Sequence, residues 1–268
     1  MNTDDFLKKN KNKLFNSGFI FIKPQKHSFQ DNINLNSTDK NTSSTMISIT
    51  TNYLTRYLLL KEMNNSKLSE IECKEKAFLI PKKGSQISNK EEEFNDLLKK
   101  INAKNYEIDN ETVINAMQIS NFTFFYWIDD FKYEKIKEAN PDKETINNIK
   151  IMIQRSVSFF KNHDFYECSL LFDDAFQYTK CITKADANFM SKKTLWNFTI
   201  EKEMKNEKNH LIKLLIYYSL SKKIRNSENS IYKDLDSIGV FNPWLNVCFF
   251  WKIKDIDKNL IREINLLI

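Results

Sequence analysis

Glycine and proline are scarce in this chain, with three and four in 268 residues. A phosphate cradle of the GxGxxG or GxxxxGK type needs glycines a few positions apart. Gly18, Gly84 and Gly239 are too widely spaced to build one, so a Gly-rich nucleotide loop is excluded. The four cysteines, Cys73, Cys168, Cys181 and Cys248, form no CxxC pair, which argues against a zinc ribbon. They are expected to stay reduced, as in a cytoplasmic protein. The three histidines, His27, His163 and His210, are scattered and read as structural or surface residues. No run of about 18 apolar residues exists, so no membrane-spanning helix and no membrane partner are expected. The opening MNTDDFLKKN contains acidic residues and lacks an apolar h-region, so it does not read as a signal peptide.

What remains is enough to build a core. Hydrophobic residues make up 41% of the chain and aromatics 13%, which excludes wholesale disorder. The net charge of +6 is a small excess over 41 basic side chains. It suits a surface facing nucleic acid and equally a mixed, solvated one.

Residues 1–45 read as an extension and polar linker. Phe19–Ile22 is its one apolar segment, a strand or an adhesive edge, and 28–45 is rich in Asn, Ser, Thr and Asp. Residues 46–268 read as a single domain with a helical part, 46–140, and an α/β core, 141–268. Ile49, Tyr53, Tyr57 and Leu60 keep helical spacing. A second helix is predicted from Ser66 as N-cap to a stop before Pro81, with a turn at Lys82–Ser85. Helices around Phe94–Ile101 and Val113–Met117 follow, and Phe122–Ile128 is left open between helix end and buried strand. Asp142 caps a helix striped with Ile146, Ile149, Ile153, Val157 and Phe160. Strands are predicted at about 165–172 and 175–183, hinged at Asp173-Asp174, and at Thr194–Ile200. A helix is predicted at 208–223, a turn at Gly239–Pro243, a strand through Val247–Ile253 and a short final helix. The fold class expected is α/β (α+β), a small mixed β-sheet flanked by helices, behind a mainly helical N-terminal half.

The functional signal converges on Lys184–Glu201, KADANFMSKKTLWNFTIE. It reads as a turn, a loop and a strand. In that strand Thr194, Trp196, Phe198 and Ile200 share one face, and Leu195, Asn197 and Thr199 share the other. Trp196 and Phe198 read as core, with base stacking the lesser alternative.

Three stretches in order, ADANFMSKKTLWNFTIEK, then LIKLLIYY, then IGVFNPWLN at Ile238–Asn246, carry a family resemblance. With PDKETINNIKIMIQRSVSFF from Pro141 and NYLTRYLL from Asn52, they resemble the PD-(D/E)XK nuclease-like superfamily. The likeness is to its RecB-like branch, and to a family of Gram-positive bacteria and their phages patterned GDGDF, TLWDFK, LQLLMYY and NPRLN. The resemblance spans roughly Ile47 to Ile268. It implies a restriction-endonuclease-like core and metal-assisted phosphodiester hydrolysis. In active members two carboxylates hold Mg²⁺, which polarises the phosphate and lowers the pKa of a water, while a lysine on the same strand orients that water.

Residue by residue, the match is degenerate. The first turn aspartate is kept as Asp186, but the second is Asn188. The WDFK aspartate is Asn197 and its lysine Thr199. The helix glutamine is Lys213, while the tyrosine is kept as Tyr217, and Trp244 stands where the family has arginine. Gln154 is a weak match to a glutamate of some nucleases. An asparagine brings Mg²⁺ no charge, and Mg²⁺ gives up its water reluctantly without carboxylates or phosphates. The resemblance therefore implies a pseudonuclease with no catalytic residues and no cofactor expected. Asp186 is the metal residue if there is one, and Mg²⁺ is the cofactor if the protein is active. An active site would need replacement ligands such as Asp173, Asp174 or Glu201. Lys180, Lys184, Lys192 and Lys193 read either as a track for a phosphate backbone or as a solvated face. Lys213 reads either as a surface lysine or as a charge set where the metal once sat. Three functions follow. The first is a nucleic-acid- or protein-binding module linked to phage, mobile elements or defence. The second is a divergent Mg²⁺-dependent DNA or RNA nuclease. The third is an interaction protein with no nucleic-acid role.

Overall fold

Helices dominate up to Asn162, and from His163 strands are interleaved with helices. The structure is a computed structural model that describes residues 1–15, 19–35, 42–63, 68–103, 107–128, 140–171, 179, 181–224 and 231–268. Its helices in chain order are α1 (Thr3–Phe15), α2 (Ser44–Met63), α3 (Glu70–Ala77), α4 (Leu79–Ile87), α5 (Glu91–Lys100), α6 (Asn110–Ser120), α7 (Thr123–Trp127), α8 (Lys143–Asn162), α9 (Glu207–Ile224) and α10 (Lys258–Leu267). The strands are β1 (Gln25–Ser28), β2 (Phe165–Leu171), β3 (Asp186–Ser191), β4 (Thr194–Phe198), β5 (Ser237–Asn242) and β6 (Val247–Lys252). This is a mixed α/β (α+β) protein. Its contacts divide it into two units, Met1–Phe29 with His163–Ile268, and Gln30–Asn162. The sequence boundaries at 45/46 and 140/141 fall elsewhere. Residues 1–29 belong to the sheet unit, and α8 groups with α2 and α6.

In the helical unit α8 buries Ile146, Ile149, Ile153 and Phe160 of the expected stripe, joined by Met152 and Phe159, while Val157 is only half-buried. Its start is capped as predicted, with the Thr145 N–H donating to Asp142 Oδ1 at 2.7 Å. Arg155, 8% exposed, grips Asp31 through two nitrogens at 2.5 and 2.9 Å. Phe122–Ile128 proves helical, as α7.

Three local expectations change in this unit. The N-cap of α3 is Ser69, closed by a capping box with Glu72, and the expected cap Ser66 lies outside the described residues. Pro81 does not end a helix but sits in the first turn of α4, where its missing N–H has no intrahelical partner to lose. Lys82–Ser85 is helical too. A Cβ on Gly84 would lie 1.8 Å from the Phe122 carbonyl oxygen, so glycine is there to let α4 approach the start of α7.

The sheet unit holds six strands in the order β1-β6-β5-β4-β3-β2. β2, β3 and β4 form an antiparallel meander, α9 then crosses over, and β5 runs parallel to β4, followed by β6 and β1 antiparallel. Five expectations about strands change. Asp186–Ser191 is a strand, not turn and loop, and it is the partner of β2. Of the run expected at 175–183, residues 181–183 form no strand, and 175–178 and 180 lie outside the described residues, as do Asp173 and Asp174. Ser237–Asn242 is a strand, and the turn comes after it at residues 243–246. Strand β4 stops at Phe198, two residues short of the expected end. Phe19–Ile22 is irregular, and the strand near it is Gln25–Ser28, on the edge beside β6.

α9 packs on β3, β4 and β5, with Leu211, Leu214, Leu215, Ile238, Val240 and Leu195 in one core. α1 joins this core through Phe6 and Leu14, 1% and 0% exposed, and contacts α9 and α10. Among the described residues no helix is long and apolar enough to cross a membrane.

Candidate functional site

The register of β3 on β4 sets Met190 opposite Leu195 and Phe189 opposite Trp196. Residues directly opposite share a face, and faces alternate along each strand. Asp186, Asn188 and Met190 therefore share a face with Leu195 and Asn197, and Leu195 marks it as the face under α9. On α9 the residues His210, Lys213 and Tyr217 follow at intervals of three and four, which puts them on one side of the helix.

Of the six positions singled out from the sequence, Asp186, Asn188 and Asn197 lie on this face, Lys213 and Tyr217 lie on α9, and Thr199 lies just past the end of β4. Asn188 Nδ2 donates to Asp186 Oδ2 at 3.2 Å, and the Phe198 N–H donates to Asn188 Oδ1 at 2.9 Å. Both ends of the Asn188 amide are thus used, the nitrogen within β3 and the oxygen to tie β3 to β4. Asn197 is buried at 7% exposure. The Thr199 hydroxyl donates to Glu201 Oε1 at 3.3 Å. Lys213 Nζ lies 2.7 and 3.0 Å from the two carboxylate oxygens of Asp4 on α1. Burial pulls the Lys213 pKa down, but the adjacent Tyr217 and Asp4 outweigh it, and the net direction is upward. Tyr217, 3% exposed, is pushed up chiefly by burial, with Lys213 opposing and Asp4 and Asp186 adding to the rise.

The nucleic-acid candidates do not all gather here. Lys184 is half-buried, two residues before Asp186, and its backbone forms an isolated bridge with Asn2. Lys192 and Lys193 are exposed in the β3–β4 turn, at the far end of the hairpin from Asp186. That is roughly 20 Å along the strand direction. Lys180 lies outside the described residues, and Gln154 is exposed on α8.

The sequence reading passed over His210. Its Nε2 lies 2.8 Å from Glu201 Oε1, at the same oxygen that accepts from Thr199. The His210 hydrogen bond is the main reason that the Glu201 carboxyl titrates below its usual range. An ionised carboxylate only accepts, so Nε2 carries the proton. The legible signal was spacing, since His210 precedes Lys213 by one helical turn. Trp244 yields a second finding. Lys202 Nζ lies 5.3 Å over its ring, so a cation stands next to the position where the resembled family has arginine.

The donor set does not suit Mg²⁺. Asp186 is the one carboxylate among the matched positions, Asn188 is committed to hydrogen bonds, and Asn197 adds no charge. Among the described residues no group of three or more His, Cys, Asp or Glu side chains is placed to hold a metal.

The opposite face of β4 is different in kind. Trp196 packs across β5, where a Cβ on Gly239 would come within 2.3 Å of its ring, and its Nε1 donates to Ser191 Oγ at 3.1 Å. A cavity of about 220 Å³ opens on this side, lined by Trp196, His27, His163, Phe250 and smaller neighbours.

No family model, curated protein or solved structure matches the chain.

Proposed function

We propose that this protein is a nuclease-like binding module of the PD-(D/E)XK kind that holds nucleic acid without a metal and does not cleave it. The observation that carries the reading is Lys213, whose ammonium takes a carboxylate at 2.7 Å on the face shared by Asp186 and Asn188. A corner that holds one oxyanion can hold another, and a phosphodiester oxygen presents the same charge and acceptor chemistry. Lysine is suited to this as a compact point charge. The order meander, α9, parallel β5 supports the assignment, because it is the order expected of that core. Hydrolysis is left without its usual parts, since Asn197 and Thr199 supply neither the charge nor the amine.

Single- and double-stranded DNA and RNA, assayed with Mn²⁺ and with EDTA, test this reading. The expected result is binding in both conditions, no cleavage in either, and weaker binding by Lys213→Ala. Cleavage that requires Mn²⁺ and disappears in Asp186→Ala would overturn it in favour of a rebuilt Mg²⁺-type nuclease. Absence of binding by every nucleic acid would move the function to a protein partner.

A further inference from the structure

We infer that the first turn of α1 is a built-in competitor for the site, with the Asp4 carboxylate occupying the place of a nucleic-acid phosphate on Lys213. The inference rests on the functional reading above and adds a regulatory element to it. Three contacts carry it. Asp4 pairs with Lys213 at 2.7 Å. Asn2 forms a parallel backbone bridge with Lys184. The Thr183 N–H donates to the Met1 carbonyl at 3.0 Å. The first residues of the chain thus reach the site's cation through the Asp4 side chain and the backbone at Thr183 and Lys184 through main-chain contacts.

The anchoring is uneven along that segment. Phe6 and Leu14 are buried in the core under α9, so the body of α1 is fixed. The Asp4 side chain is 71% exposed and needs only a rotamer change to leave Lys213. An incoming phosphate therefore displaces a side chain, not a helix. An exposed pair of this kind is weak, which makes it replaceable. Asp5 is the internal control. It carries the same charge one residue on and is exposed, and Lys213 is paired with Asp4 rather than with it.

The test compares Asp4→Asn with Asp5→Asn in the full chain, using a labelled single-stranded oligonucleotide in EDTA. Both variants gain one unit of net charge, so general attraction is matched. Asp4→Asn is expected to bind about 3–5-fold more tightly than Asp5→Asn, the factor that corresponds to losing a weak competing pair. That gain should vanish when Lys213→Ala is added. A second readout needs no nucleic acid. Acylation of Lys213 by an amine-reactive ester, followed by peptide mass spectrometry, should be faster in Asp4→Asn than in the parent or in Asp5→Asn. Equal affinities for the two asparagine variants, with binding still dependent on Lys213, would overturn the competitor while leaving the binding reading intact. If no variant binds the oligonucleotide, the binding reading falls. The acylation rate then decides the shielding on its own: faster in Asp4→Asn supports it, and unchanged overturns it.

Discussion

The two faces of β4 show how one short strand divides its labour. Toward α9 it presents Leu195, then the buried amide of Asn197, with Thr199 just past the strand end, all beside the polar group of Asp186, Asn188, Lys213 and Tyr217. Away from α9 it presents Thr194, Trp196 and Phe198, and Trp196 is fitted to Gly239 so closely that a single methyl would collide with the indole. One face is specified by shape, the other by charge and hydrogen bonding. On the polar face the Asn188 side-chain oxygen ties β3 to β4 by accepting from the Phe198 N–H, a role that a carboxylate of nearly the same size could also fill. The packed face has no such freedom.

Substitutions at the packed face should produce the largest effects. Trp196→Ala removes a large buried side chain and should cost about 3–5 kcal/mol, read as a lower midpoint in urea denaturation. Gly239→Ala should also destabilise, by about 1–3 kcal/mol, through overpacking against the same ring. A loss at Gly239 below the error of the fit would show that the indole has room to move, and would weaken the contrast between the faces.

On the polar face, the next effect comes from restoring a charge. Asn188→Asp replaces an amide that donates to Asp186 with a second carboxylate about 3 Å from it. Without metal this should cost about 1–3 kcal/mol, because a donor is lost and like charges meet. Mn²⁺ should return part of that stability by binding the folded state. Equal stability with and without Mn²⁺ would mean that the two carboxylates are not placed to share a metal ion.

Lys213→Ala should weaken binding of single-stranded DNA about tenfold, near 1.4 kcal/mol. It should also reduce the slope of log affinity against log salt by about 0.7. Fold stability should change by less than about 1 kcal/mol, since its partner Asp4 is largely exposed. An unchanged salt slope would remove Lys213 from the interface.

The smallest effect is on pH dependence. Glu201 titrates low when folded, because of its bond to His210. Its contribution is therefore present above the unfolded carboxyl pKa of about 4.3 and is lost as pH falls through the lower folded value. Glu201→Gln should flatten stability against pH below that point, by less than about 1 kcal/mol. An identical acid limb in the variant would show that the pair does not contribute.

The parts legible in the sequence were those with a strong period. The α8 stripe, the α9 face and the alternation of β4 and β6 all follow from residue spacing, whereas the grouping of Asp186, Asn188, Asn197 and Tyr217 was implied only by the family resemblance. Strands β3 and β5 were missed for opposite reasons. DANFMS mixes polar and apolar residues without clean alternation, and SIGVFN is buried on both faces, so its glycine looked like a turn. Gly84 and Gly239 mark close approach rather than turning, a distinction that depends on what packs against them. The role of α1 was unreadable for a similar reason. Asp4 and Lys213 are 209 positions apart, and an acidic first turn looks like ordinary helix capping until its partner is in place.

Calorimetric titration of the wild-type protein with Mn²⁺ tests the central claim most directly, that charge on this face now comes from Lys213 and not from a metal. The account predicts no saturable binding at millimolar Mn²⁺ in wild type and its appearance in the Asn188→Asp, Asn197→Asp double variant. Saturable binding by wild type that is abolished in Asp186→Ala would contradict it.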